Sequence, residues 1–218
     1  MRTAKERLSH LLELAAKGAG ERAALASEVA DLLHDWPPAY PAAMRASFEA
    51  LLEKIAREVD ASGKRDLARR FEASGDAPLS LLNELFLASS AAMKDEILRR
   101  NDAHASGKIA GIDGALLLAV ARSHGDFGAA LARAAAIPRS IASQIMADGT
   151  GLGLAVIAKG AALERPLYSG ICVLVRPASD VFSALALYER VPENGAANLL
   201  GFWRAKCDDA LARSEAAA

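Results

Sequence analysis

Aromatic residues are scarce in this chain of 218: six Phe, three Tyr and two Trp make up 5% of it. A core so poor in rings must be filled by small and branched side chains, which favours closely packed helices over sheets. Cysteine is scarcer still. Cys172 and Cys207 stand alone in apolar surroundings with no CxxC spacing, which excludes a disulfide framework and a thiolate zinc site and predicts two buried, reduced thiols. Charge of one sign is missing as well. The 26 Lys and Arg against 27 Asp and Glu leave a net charge of −1 and a pI near 6.4, with no general attraction to nucleic acid or an anionic membrane. Nor is there an uncharged apolar run of about 18 residues to cross a bilayer, since Lys159, Glu164 and Arg165 interrupt the most apolar stretch. The opening MRTAKERLSHLLELAAKG mixes charges with leucines and has no h-region, so it reads as no signal peptide. Together these absences predict a soluble, cytoplasmic protein. Long Val/Ile/Thr alternation is the last thing missing. Only Ile171–Val175 could form a strand, and a lone strand has no partner, so helix is predicted there.

What is present is helix-forming. The chain contains fifty alanines, and its hydrophobic residues reach 52%; Ala is the best helix former and lets helices approach closely. Leu8, Leu11, Leu12 and Ala15 make a first apolar stripe, and Leu25, Val29, Leu32, Leu33 and Trp36 a second. Pro37-Pro38-Ala39-Tyr40-Pro41 is a stiff connector, with Pro41 suited to the first turn of the next helix. That helix has the clearest pattern, Met44, Phe48, Leu51, Leu52, Ile55 and Val59, and is expected to break at Ser62-Gly63 before Leu67, Ala68 and Phe71. Further stripes are Leu81, Leu82, Leu85 and Phe86; Met93, Ile97 and Leu98; Val181, Phe182, Leu185 and Tyr188; and Leu199, Leu200, Trp203, Cys207 and Leu211. Charges thin out beyond Ser106–Gly111, which predicts an amphipathic N-terminal part, 1–105, and a more apolar C-terminal part, 106–218. Asp76-Ala77-Pro78 followed by Leu81 to Leu98 is echoed by Ala136-Ile137-Pro138 followed by Ile141 to Ile157, each a helix, turn and helix with Pro at the start. The predicted fold is therefore all-α, without significant β-sheet, its helical pairs stacked as a HEAT-like or irregular α-solenoid.

The order of these elements resembles the domain-of-unknown-function 2336 family, bacterial helical proteins with HEAT-like pairs. The residues that carry the resemblance are Ser27–Leu33, Phe48–Val59, Leu67–Phe71, Ala77-Pro78 with Leu81–Phe86, Phe127–Ala132 with Ile137-Pro138, and Gly153–Lys159. Where the family has an acidic turn after Phe86, this chain has Ala88-Ser89-Ser90-Ala91-Ala92. The resemblance implies a helical fold and no particular activity.

One string looks like a ligand motif: Gly149-Thr150-Gly151-Leu152-Gly153-Leu154 resembles the second glycine box of sensor histidine kinases, and Ser9-His10 before leucines resembles their phosphorylated histidine. The kinase context is missing. No Asp-x-Gly-x-Gly precedes it (Asp113-Gly114 lacks the second glycine), and as a dinucleotide loop it would follow a strand rather than the helix expected at Ile145-Met146. The competing reading is a helix end at Asp148-Gly149 with Thr150 capping the next helix. His10, His34, His104 and His124 are scattered, without an HxxxH pair, and Asp102 with His104 or Asp126 with His124 are ordinary helix-end residues. Lys64-Arg65, Arg69-Arg70 and Arg99-Arg100 are basic clusters at helix ends, explained by the helix dipole and solvation. Trp36 with Tyr40, and Phe202 with Trp203, are aromatics that could anchor a partner, but such groups more often pack on their own domain.

No catalytic, cofactor-binding or metal-ligating residue is assigned. The function expected is that of a non-enzymatic scaffold or regulatory adaptor that binds another protein, a homodimer being one such form. The alternatives are a degenerate histidine-kinase-like phosphotransferase using residues 149–154, and a nucleic-acid-binding HEAT-like module using the basic helix ends, which the balanced charge disfavours.

Overall fold

A computed structural model of the chain describes residues 22–74, 77–105, 107 and 109–216, without the side chains of 73–74 and 208–216. The predicted helix over Leu8–Ala15, with His10, lies outside the described residues. Twelve α-helices account for the described chain, which contains no strand. The fold is all-α. By their contacts the residues divide into two compact units, Met1–Lys94 and Asp95–Ala218.

The first unit holds α1 (Arg22–His34), α2 (Ala42–Glu58), α3 (Ala61–Ser74), α4 (Leu79–Leu85) and the start of α5 (Ala91–Asp102). Helix α1 packs on α2 and α3, and α4 on α2 and α3. Leu25, Val29, Leu32 and Leu33 are buried on α1, Leu67, Ala68 and Phe71 on α3, and Leu81, Leu82, Leu85 and Phe86 around α4, as their spacing predicts. Two details differ from the sequence reading. The buried face of α2 is Leu52, Ile55 and Ala56, continued by Val59, whereas Met44 and Leu51 are exposed. The break after α2 falls at Val59-Asp60, not at Ser62-Gly63. The Asp60 carboxylate accepts the Gly63 N–H at 2.8 Å and so starts α3 three residues earlier.

The second unit holds the rest of α5 with α6 (Gly114–Arg122), α7 (Phe127–Ala135), α8 (Arg139–Ala147), α9 (Leu152–Gly160), α10 (Arg165–Val175), α11 (Val181–Arg190) and α12 (Glu193–Ala216). Ile171–Val175 is helical, the last turns of α10. Sequence neighbours pair as α6–α7, α7–α8, α8–α9 and α10–α11, and α6 also packs on α10. At the centre is α9, LGLAVIAKG, which packs on α8, α11 and α12 and buries every residue but Lys159. A helix that is apolar on all faces must be surrounded, and the thinning of charge in this part of the sequence expresses that demand.

Glycine permits the closest of these approaches. A Cβ on Gly160 of α9 would stand 2.6 Å from the Ala196 carbonyl oxygen of α12, and one on Gly195 would stand 2.5 Å from that of Leu98 on α5. Proline sets the helix starts. Pro41, Pro78 and Pro138 occupy the cap position of α2, α4 and α8 with φ near −60° and extended ψ, and their carbonyls accept the first helical N–H bonds. They stand one residue before the first helical turn expected for Pro41.

Several helix ends in the second unit are closed by side chains from later in the chain. Asn198 donates to the carbonyls of Asn101 (2.9 Å) and His104 (3.0 Å) after α5, and Arg204 donates to Ala135 at the end of α7 (2.8 Å) and to Ala110 (3.0 Å). These bonds satisfy carbonyls that have no partner within their own helix.

Candidate functional site

The glycine string is a turn between α8 and α9. The Asp148 carboxylate accepts the Thr150 N–H (3.1 Å) and hydroxyl (2.9 Å), Thr150 Oγ1 accepts the Leu152 N–H (3.2 Å), and the Gly151 N–H donates to the Asp148 carbonyl (3.2 Å). Thr150 thus caps α9, although Gly151 occupies the residue before the helix. Gly151 has φ +79°, a left-handed conformation that favours glycine. Arg176, at the end of α10, donates to the carbonyls of Asp148 (2.8 Å) and Gly149 (3.3 Å), and its guanidinium lies 2.8 Å from where a Cβ on Gly151 would be. Gly153 lets α9 approach Ile145 of α8, whose side chain would stand 2.9 Å from an added Cβ. One glycine supplies the backbone angle and room for an arginine, and another supplies helix contact. The motif follows a helix rather than a strand, and the polar groups of its turn bond to one another and to Arg176.

The other residues singled out in the sequence also have structural partners. Asp126 caps α7 by accepting the Ala129 N–H (2.9 Å) and pairs with Arg139 (2.7 Å); the backbone bond and the arginine hold its carboxyl below the usual range. Asp102 accepts the Gly195 N–H (3.1 Å), and His34, His104 and His124 are all exposed. In the basic clusters Lys64 pairs with Glu84 (2.6 Å), Arg69 with Asp66 (3.0 Å), Arg70 with Asp31, and Arg99 with both oxygens of Glu96. These four side chains each face a carboxylate, which offsets their charge locally. Trp36 is half-buried against Tyr40 (5.7 Å between ring centroids) and Phe48 (6.0 Å), a connector packed on its own unit. Trp203 is 1% exposed and belongs to the core. Among the described residues, no three His, Cys, Asp or Glu side chains converge as a metal site, and no buried side-chain nitrogen or oxygen lacks a hydrogen-bond partner.

A buried cluster of titratable groups joins α9, α10 and α11. Tyr168 and Tyr188 stack at 4.8 Å; Tyr168 donates to the Ala184 carbonyl (3.0 Å) and Tyr188 to that of Leu163 (2.7 Å). Lys159 lies 4.7 Å from the Tyr188 ring centroid. Burial pushes both phenols up from their ordinary value of 10.0, and pushes the Cys172 thiol up as well. A buried thiol held protonated is a poor nucleophile, which fits a packing role for Cys172. A raised phenol favours the fold while it is neutral, so this stability is fully present below pH 10 and is lost as pH rises above it. In an alkaline titration, tyrosinate absorbance is expected to rise cooperatively with the loss of helical circular dichroism. Smooth ionisation near pH 10 with the helices intact would contradict the buried pair.

A cleft of about 350 Å³ lies among α5, the start of α9 and the α11–α12 turn. Leu98, Leu152, Val191 and Pro192 give it apolar walls, and Asp95, Arg99, Asp102 and Arg190 give it charge. These charges are engaged: Arg190 pairs with Asp95 at 2.9 Å, Arg99 with Glu96, and Asp102 with the Gly195 N–H. No histidine, thiol or hydroxyl lines it, and its two carboxylates are the Asp95 and Asp102 groups already bonded to Arg190 and the Gly195 N–H.

Of the exposed large apolar side chains described in the second unit, three lie on α10 and α11, while Leu116, 54% exposed, lies on α6. Phe182 is 82% exposed, Val173 62% and Leu174 43%. The sequence reading placed Phe182 in the buried stripe of α11, and the structure corrects this. Val181, Ala184, Leu185 and Tyr188 follow the i, i+3, i+4, i+7 spacing, with Ala184 and Tyr188 buried, while Phe182 lies about 100° further round the helix. Between Cys172 and Leu187 the only charged residues are Arg176, which is turned onto the glycine turn, and Asp180.

The arrangement defines an all-α protein whose most distinctive exposed feature is an apolar elbow. No family model, curated protein or solved structure gives a significant match to the chain.

Proposed function

We propose that this chain is a non-enzymatic helical scaffold or regulatory adaptor that binds another protein through the α10–α11 elbow. The observation that carries the reading is the 82% exposure of Phe182, with Val173 and Leu174 of the preceding helix also exposed. Large aromatics dominate binding energy when a partner buries them, and leaving one in water gives the isolated chain no stability. Support also comes from the neutralised basic clusters and from the glycine turn, whose polar groups are spent on α8, α9 and Arg176. No described helix is long and apolar enough to cross a membrane. The resemblance to the 2336 family suits this reading, since it too implies a bacterial helical module without a defined reaction.

The test is affinity capture of interacting proteins with wild-type chain and with Phe182→Ser. The substitution is expected to leave the melting temperature unchanged and to reduce partner retention at least tenfold. Equal retention by both chains would overturn the elbow as the binding surface, and nucleotide hydrolysis or phosphotransfer by the purified chain would overturn the non-enzymatic reading.

A further inference from the structure

We propose that Asn194-Gly195 is a spontaneous deamidation site held shut by the Asp102 carboxylate, so that the amide converts only when the start of α12 opens. Four asparagines occur in the chain, and Asn194 is the only one followed by glycine. Glycine has no side chain to shield its own nitrogen, and its backbone freedom lets that nitrogen reach the preceding amide. Asn194 is exposed in the first turn of α12. The reaction needs only water. The Gly195 nitrogen adds to Asn194 Cγ, the amide nitrogen leaves as ammonia with the Gly195 proton, and a five-membered imide remains. Water then opens the ring at either carbonyl, giving aspartate or isoaspartate.

A reciprocal clasp between two helix ends prevents this. Asp102 is the last residue of α5, where a carboxylate is opposed by the dipole of its own helix. Its place there serves α12. Asp102 Oδ1 accepts the Gly195 N–H at 3.1 Å, a first-turn donor that has no partner within its own helix. In return, Asn198 of α12 donates to the Asn101 and His104 carbonyls at the end of α5. Gly195 is buried, and a Cβ added to it would stand 2.5 Å from the Leu98 carbonyl oxygen. The next N–H, that of Ala196, donates to the Pro192 carbonyl at 2.9 Å and closes the turn. Turning the Gly195 nitrogen toward Asn194 Cγ therefore requires breaking the bond to Asp102 and unwinding this turn. The local opening of the turn then sets the rate. Isoaspartate carries the main chain through the former side chain, one carbon longer, and leaves a new carboxylate in the turn that Asp102 caps. The clasp does not re-form on that product.

Site-resolved mass spectrometry of the full chain, incubated at neutral pH with and without guanidinium chloride, tests this. In the denaturant Asn194 is expected to convert faster than Asn83, Asn101 and Asn198. In native buffer its conversion is expected to be at least tenfold slower than in the denaturant. Asp102→Ala is expected to raise the native rate about fivefold, the worth of a typical helix cap. Asp126→Ala removes the cap of α7 instead and is expected to leave the rate at Asn194 as in wild type. Equal native and unfolded rates overturn the proposal, as does an unchanged or slower rate in Asp102→Ala. A rise of the same size in Asp126→Ala overturns the clasp, since protection would then follow the stability of the whole unit.

Discussion

Gly160→Ala is expected to destabilise the second unit by about 3 kcal/mol, the upper part of the range for overpacking a core. Alanine has the higher helix propensity, so exposed in a helix interior this change would gain up to about 1 kcal/mol. Here the added methyl meets backbone: the Ala196 carbonyl oxygen at 2.6 Å and its carbon at 2.8 Å. A carbonyl cannot rotate away as a side chain can, so α9 and α12 must separate along the most heavily buried contact of the unit. Gly201→Ala, also on α12, supplies the internal control. Its added methyl would find only Ile109 Cδ1 at 3.7 Å, an ordinary contact, so the same substitution there is expected to stabilise by roughly 0.5–1 kcal/mol. Urea denaturation followed by circular dichroism reads both. Equal effects at the two positions would show that α9 and α12 do not cross at Gly160.

The second large effect is expected for Trp203→Ala, a loss of about 3–5 kcal/mol. Trp203 is the largest fully buried side chain of the described core and lies on α12 with Leu199 and Leu200, which are also fully buried. Backbone contacts at the start of the same helix, Gly195 against Leu98 and Ala196 against Gly160, limit its freedom to move into the space left behind. A cost of this size is a large fraction of the roughly 5–15 kcal/mol that holds a typical domain together, so the variant is expected to unfold at a clearly lower urea concentration and temperature than wild type. A loss below about 1 kcal/mol would mean that Trp203 is not in the core.

The fold class was legible from the sequence because it is set by local pattern. Alanine content, apolar stripes at helical spacing and prolines at helix starts are each read within one turn or two. The helical state of Ile171–Val175 was legible for a related reason, the lack of any second strand to pair with. What the pattern could not supply was the direction in which each helix faces its neighbours. Phe182 is apolar and adjacent to a good stripe, and only its angular offset from Ala184 and Tyr188 puts it outside. Met44 and Leu51 obey the period of α2 but find no cover, since cover comes from other helices. Trp36 and Trp203 look alike as sequence, each beside another aromatic, yet one lies half-buried on a connector and the other in the core. The glycine string was legible as a turn through its Asp, Gly and Thr. The seating of Arg176 on Gly151 was not, because it joins residues 25 positions apart in the sequence through a side chain whose direction no local rule fixes.

The late side chains that close early helix ends have a consequence for the order of assembly. Asn198 reaches back to Asn101 and Arg204 to Ala110, each across more than ninety residues, and in the opposite sense the Asp102 carboxylate accepts the Gly195 N–H in the first turn of α12. As the chain leaves the ribosome, α5 and α7 therefore wait for α12 with open carbonyl ends, and α9, apolar on every side, waits with them. Closing such long loops is slow compared with forming helices, so α12 is the helix that completes these contacts. Until then the side of α9 that faces α12 is an uncovered apolar surface, the kind of exposure that makes incomplete folds prone to aggregate.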